Sequence, residues 1–566
     1  MGSHKRREFL EELIATQIAG KQAAGEDKIF KQYANKEVFK AYKATSTLNQ
    51  YTGAWTETQV RHLLRRTMFG VKEADIQTLL AMSMSDAVDY LIDTVSPAPQ
   101  PPLNNYNTAN YTDPTGVASG TTWINADYGD GTLNFYRMQS LKAWWTAQMI
   151  NQGLDITEKI TFFWHNHLAT QMSAVGDARM SYNHYMLLRN NALGNFKTLV
   201  RLVTTDPAML AFLNGDKNTK NNPDENYGRE LQELFTVGKY NSPNYSEDDV
   251  KAAAKVLTGW RINSSTLTSY FQPSLHDTSN KTFSSFYSNN IIGDYGATET
   301  DDLIDMIFAK TETAHYVCGK LYRCFIYYNI DDTIEANIIV PLAQVFTSNN
   351  YDIKPVLKTL LKSDHFYDAI NMGCYIKTPL DFLVGTLRTF GVDIPANLSV
   401  NDTYDIWNYI RSYGVALGLD LGDPPSVAGW EAFYESPAYY EMWINSSTFP
   451  YRMEFTDMML TSGFSAGTNT TVQIDITGFT KQYANADDPD MLVDHFVAML
   501  SGVDVSATEH DNLKSILLSN QASNSYWTDA WNLYLQNPDV ANTSIVTDRL
   551  TALLVTILRL PEHQLC

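Results

Sequence analysis

Apolar residues recur along most of this chain at the three- and four-residue spacing of helices, and alternation at every second residue is rare. Between Thr56 and Phe69, Val60, Leu63, Leu64 and Met68 fall on one face, and two shorter helices are expected from Lys72 to Val95. "PAPQPPLNNYNTANYTDPTGVASG" (Pro97 to Gly120) is rich in Pro, Asn, Gly and Thr and predicts an irregular excursion instead of a strand pair. Helical spacing resumes at Asn134 and continues through Gln152, Ile156 to Met172, Asp177 to Thr205, Glu299 to Tyr328, Thr333 to Ser348, Lys354 to Ser363 and Pro379 to Phe390. "GTTWINA" and "TVQIDIT" are the best strand candidates, and neither demands a sheet. The expected class is mainly α, a large multi-helix single unit with long irregular loops and few short strands.

The sharpest pattern lies between Asn221 and Trp260. Asn221 or Asn222 can cap a helix, Pro223 suits its first position, Asp224 and Glu225 complement the dipole, and Gly238 stops it. At 3.6 residues per turn, Tyr227, Leu231, Leu234 and Phe235 share an apolar face, beside a polar stripe of Asn226, Arg229, Glu230 and Glu233. Ser246 then caps a second helix whose first turn is acidic and whose buried face is Val250, Ala253, Ala254 and Leu257.

Three regions are expected: residues 1–50 as an N-terminal helical arm, 51–460 as a helical core, and 461–566 as a helical segment packed on that core. The second boundary falls in the small, polar "TSGFSAGTN". "KRREFL" (Lys5 to Leu10) resembles the start of a twin-arginine export signal, but the charged, Ala- and Lys-rich stretch behind it lacks the apolar region such a signal needs. Read literally, the protein is cytoplasmic, with export through a remodelled signal as the alternative.

Composition narrows the classes. With 44% hydrophobic and 19% charged residues the chain is globular, and no run of about 18 apolar residues exists to span a bilayer. A formal charge of −21 argues against broad contact with nucleic acid, which requires clustered Lys and Arg. Four scattered cysteines make neither a disulfide framework nor a CxxC-type zinc site. Walker, GxGxxG, CxxCH and HExxH motifs are all absent. "DYGDGT" (Asp127 to Thr132) has glycines where a calcium loop needs ligands, so a surface turn is expected.

"ENYGRELQELFTVGKY" followed by "YSEDDVKAAAKVLTGW" resembles the bacterial domain-of-unknown-function family 1800. "RHLLRRTMFG", "ITFFWHNHLAT", "HDTSNKTF", "DPPSVAGW" and the closing "LPEHQLC" agree with it in order, over roughly Tyr51 to Cys566. Gly228 stands where the family usually has Ala, and Phe235 where many members carry His. The resemblance implies no assigned activity. It does imply a partner, since relatives are often encoded beside a second uncharacterised family with an alkaline-phosphatase-like fold.

Four groups of residues carry potential chemistry. Glu230 and Glu233 form an ExxE pair suited to a divalent metal or iron, or to acid–base work; the competing reading has Arg229 neutralising Glu225, Glu230 or Glu233. His165 and His167 are candidate metal ligands, but about 200° of helical rotation separates them, so at most one joins a site. His276 and Asp277, with Lys281 nearby, occupy a loop where a histidine could be oriented for proton transfer. Arg61 and Arg65, with His62 and Arg66, could clamp a phosphate or carboxylate. Asn226, Arg229 and Trp260 complete the candidate binding residues.

Two functions follow: a helical scaffold or binding protein, or a metal-dependent hydrolase or oxidoreductase with a Glu/His pocket. Convergence of Glu230, Glu233, a histidine and His276–Asp277 on one cavity would favour the second.

Overall fold

In a computed structural model, the protein is described over residues 46–239, 244–430, 439–466 and 470–566. The N-terminal arm up to residue 45, including the basic stretch at Lys5, lies outside them. Among the described residues helices dominate, joined by long irregular loops and three two-stranded antiparallel sheets. One apolar cluster runs from Val60 to Cys566 and forms the core. No helix among the described residues is long and apolar enough to cross a membrane.

Helix α1 (Glu57–Thr67) starts at a reciprocal Thr56/Gln59 cap and buries Val60, Leu63 and Leu64. The irregular stretch after residue 97 is ordered by buried polar groups. Asp113 accepts hydrogen bonds from Tyr106 and from Arg137, which lies at 3.2 Å in an almost fully buried ion pair. "DYGDGT" is the approach to α2 (Gly131–Ile150), and Asp130 caps that helix by accepting from Leu133 N at 2.9 Å. "GTTWINA" contributes a single bridge, Leu103 to Thr122, because Trp123 turns into the core.

Helix α3 (Thr157–His167) is buried along its whole length and packs against α4 (Ala178–Asn191). The helical run expected to Met172 breaks after His167 and resumes for one turn at Met172–Val175. "DPPSVAGW" closes over that break. Asp423 accepts from Ser173 N and Oγ, while Asn166 Oδ1 accepts from Trp430 N at 2.7 Å. Gly429 has φ +86°, and a Cβ there would lie 2.3 Å from Asn166 O.

The pattern at Asn221 departs from expectation in its start and its winding. Thr219 to Asn222 is a tight turn, and α5 (Asn226–Glu230) begins only after Asp224 accepts from Asn226 N, so Pro223 lies outside the helix. From Leu231 to Thr236 the winding loosens to a π-helix, with Val237 and Gly238 both donating to Gln232 O. That extra residue rotates the buried face. Gln232 and Thr236 are buried alongside Leu231 and Phe235, whereas Leu234 is only half-buried. Helix α6 (Glu247–Val256) is capped by Ser246 as expected, in a reciprocal box with Asp249, and packs on α5.

Beyond Gly259 the chain forms strands β1 (Trp260–Asn263) and β2 (Thr268–Phe271), then β3 (Lys281–Thr282) and β4 (Ile291–Ile292), before α7 (Glu299–Phe308). Downstream lie α8 (Pro379–Thr389) and α9 (Val400–Ala416), which packs on α2, and α10 (Thr448–Thr461). "TVQIDIT" yields the short β6 (Thr470–Val472), paired with β5 (Phe464–Ala466). Helices α11 (Pro489–Leu500) and α12 (Val540–Arg559) follow, and α12 packs on α10. The last residues bridge back at Ile376 to Leu565, beside α1.

Candidate functional site

Of the polar stripe that starts on α5, Arg229 and Glu233 are paired. Arg229 donates to Glu247 at 2.7 and 2.9 Å and to Glu225 at 3.1 Å, and Glu233 pairs with Lys239 at 2.6 Å. Glu230 has no ion pair among the described residues; burial, then the nearby Glu233, raises its carboxyl pKa. Asn226 is exposed, and only its backbone N–H is bound.

His165 and His167 are both buried and point apart. His167 Nε2 donates to the carbonyl of Phe235 at 2.9 Å, in the loosened turn of α5. His165 stands edge-on to Trp145, with Trp430 beyond. Burial, reinforced by the charges of His184 and Lys142, holds the His165 pKa down to about 3. Burial and Lys320 do the same for His167, against the opposing pull of the Phe235 carbonyl, also to about 3. Neither joins Glu230 or Glu233 in a three-ligand group among the described residues.

The four residues of "RHLLRR" reach four different places. Arg61 pairs with Glu57 within its own helix. His62 Nε2 meets the carbonyl of Phe366 at 3.0 Å. Arg65 donates to the carbonyls of Ala498 (2.6 Å) and Met499 (3.3 Å) at the end of α11, and Arg66 to those of Phe325 and Cys324. Arg61 and Arg65 therefore make no joint clamp, and Arg65 completes the orphan carbonyls of a helix end.

His276 is the best-organised of the candidates. Its Nδ1 lies 2.9 Å from the Thr258 carbonyl, an acceptor only, so this nitrogen carries a proton. Its Nε2 lies 2.8 Å from Glu299 Oε1. Glu299, the first residue of α7, is fully buried and also accepts from Tyr295 N at 3.0 Å, Gly296 N at 3.2 Å and Lys281 Nζ at 2.6 Å. Burial opposes the charge on His276, but the bonds to Glu299 and Thr258 outweigh it and raise the pKa. Burial likewise opposes ionisation of Glu299, and the bonds from His276 and Lys281 outweigh it and lower the pKa. The result is that His276 Nε2 and Lys281 Nζ share one carboxylate.

Asp277, the expected partner of His276, faces away and accepts from Ser279 N at 2.8 Å. The loop that holds His276 runs between β2 and β3. Trp260 belongs to this cluster: its Nε1 donates to Thr300 Oγ1 at 3.1 Å, and Phe271 stands edge-on to both Trp260 and His276. Glu299 was the residue hidden in the sequence, because an acidic residue ahead of "TDDL" reads as a helix-dipole complement.

One ligand atom each from His276, Glu299 and the exposed Asp294 lie within 4.8 Å of one another, the one such group among the described residues. Lys281 Nζ occupies the same neighbourhood, 2.6 Å from Glu299 Oε2 and 3.4 Å from His276 Nε2. Its ammonium supplies the positive charge a metal would bring, and His276 Nε2 presents a proton to the carboxylate in place of a lone pair. As arranged, these residues suit an internal ion network better than a cation site.

No curated protein and no solved structure matches the chain. A family model described as "Protein of unknown function (DUF1800)" matches residues 62–565, and the chain belongs to that family.

Proposed function

We propose that this protein is a helical scaffold or binding protein whose buried ionisable groups are architectural. The observation that carries the reading is the Lys281 ammonium, fully buried between Glu299 and His276 in the place a metal-dependent reaction would need free. With Nδ1 on the Thr258 carbonyl and Nε2 on Glu299, the His276 ring has no nitrogen free to act as a base. Nearer the surface, the Arg229–Glu247 pair ties α5 to α6. The resemblance supplies a partner to test, a protein of the neighbouring family with an alkaline-phosphatase-like fold, by analogy alone.

Thermal melting of the purified protein with EDTA, and then with zinc, manganese or magnesium ions, tests this reading. An unchanged transition is expected. A transition lowered by EDTA, restored by one metal, and insensitive to both in a folded His276→Gln variant would overturn it. Co-elution with the purified neighbouring-family protein would identify the partner.

A further inference from the structure

A second cluster lies where α1, α8, the end of α11 and the closing turn Pro561–Gln564 meet. There Arg65, Lys377, Asp381 and His563 line a cleft of about 450 Å³, counted with the solvent open to it. Its charges do not balance. Asp381 is already satisfied, by the ammonium of Lys159 and by the Thr378 hydroxyl at 2.9 Å. Among the described residues no carboxylate pairs with Arg65, whose bound partners are the neutral carbonyls of Ala498 and Met499. Lys377, half-buried, has no ion pair there either. Behind it the buried Arg452 donates to Lys377 O and Gln564 Oε1, again neutral acceptors.

Uncompensated cations in a low-dielectric site are costly, and the protein as a whole is strongly acidic, so this local excess calls for an anion. Burial, then Arg65, brings the Lys377 pKa down to about 7, against the weaker opposing pull of Cys566 and Asp381. His563 adds a second requirement. It is 4% exposed, and its Nδ1 lies 2.7 Å from the Leu500 carbonyl, so that nitrogen carries the proton. Its Nε2 is buried without a partner and holds a lone pair. Burial and then Lys377 keep the ring neutral by moving its pKa well below the usual histidine value. A ligand satisfying this site brings negative oxygens for the two cations and a hydroxyl for the imidazole. It must also be small, because the enclosed cavity is only about 30 Å³.

The geometry points to a binding site for a small oxyanion bearing a hydroxyl, hydrogen phosphate being the simplest, held by Arg65 and Lys377 with His563 Nε2 accepting the hydroxyl proton. Sulfate has the charge and shape but no proton to donate at neutral pH. A phosphomonoester, mostly doubly ionised at neutral pH, likewise lacks the hydroxyl proton. The site gives the binding reading a ligand but uses none of the residues that carry it, so either can fail alone.

The test is isothermal titration of the full-length protein with inorganic phosphate, sulfate and glycerol phosphate at matched ionic strength. One phosphate per chain is expected, with sulfate and glycerol phosphate each weaker by about tenfold or more, the scale of one lost charge-assisted hydrogen bond. Lys377→Met is expected to weaken phosphate by about tenfold or more without melting below wild type, because it removes an uncompensated charge. Lys377→Gln serves if that variant does not fold. His563→Phe is expected to remove the preference for phosphate over sulfate. The proposal is overturned if wild type fails to bind phosphate at about 10 mM. It is equally overturned if sulfate or glycerol phosphate binds as tightly, or if phosphate binding survives both Lys377 substitutions.

Discussion

Replacing Glu299 by Gln is the sharpest perturbation of the buried ion network. The substitution keeps the shape but removes the negative charge and turns one acceptor oxygen into a donor. Lys281, fully buried, and His276, 2% exposed, then lose the carboxylate they are bonded to, and the Tyr295 and Gly296 amides lose a charged acceptor. Removing one partner of such a buried pair typically costs about 3–5 kcal/mol. Over 566 residues, about 2 cal/mol/K of unfolding entropy per residue gives close to 1 °C per kcal/mol, so the melting temperature should fall by about 3–5 °C.

The pH dependence carries the signs of the two shifts. The raised pKa of His276 contributes stability that is full below the unfolded value near 6.5 and is lost as pH rises through the folded value. The lowered pKa of Glu299 contributes stability present above 4.5 and lost as pH falls through its folded value. Calorimetry across this range should therefore show both contributions in wild type and neither in Glu299→Gln. Lys281→Met should cost less, since it leaves Glu299 with His276 and two amides. A Glu299→Gln variant melting within about 1 °C of wild type would refute the network.

Other outcomes are equally specific. Gly429→Ala should lower stability by about 2 kcal/mol or more in denaturant unfolding, because the left-handed backbone is strained by a Cβ and that Cβ would meet Asn166 O. Tyr287→Phe leaves Gln232 Oε1 buried without its 2.8 Å donor and should cost about 1–3 kcal/mol in the same assay. His165 and His167, held down to about 3, should show no titration between pH 5 and 8 in NMR spectra. The unfolded chain protonates them near 6.5, so acidification from there toward pH 3 should destabilise the protein through both.

Much of the architecture is readable from spacing and punctuation. The period of Val60, Leu63 and Leu64 places α1, and the Ser246 cap places α6, since caps and apolar stripes are local signals. The start of α5 falls beyond Asn221 and Asn222 because the turn at Thr219 and Asn218, which accepts from Asp224 N, carry the chain on until Asp224 accepts from Asn226 N. The π-turn at Leu231 has no local signature, and it moves Gln232 to the buried face and Leu234 toward solvent. At the sites, His276 and Lys281 were visible as a motif. Their shared partner Glu299 comes from 18 residues beyond Lys281, and only the folding of β3 and β4 delivers it. Lys377 and His563 were more deeply hidden, because an uncompensated charge is defined by missing partners, which no residue pattern records.

The most direct test of the central claim is metal content by elemental mass spectrometry on untagged protein purified without chelators, beside Glu230→Ala and Glu233→Ala variants checked for folding. The scaffold reading predicts far less than one metal per chain in all three. Near-stoichiometric metal in wild type that disappears from the folded variants would contradict it and make the α5 carboxylates ligands.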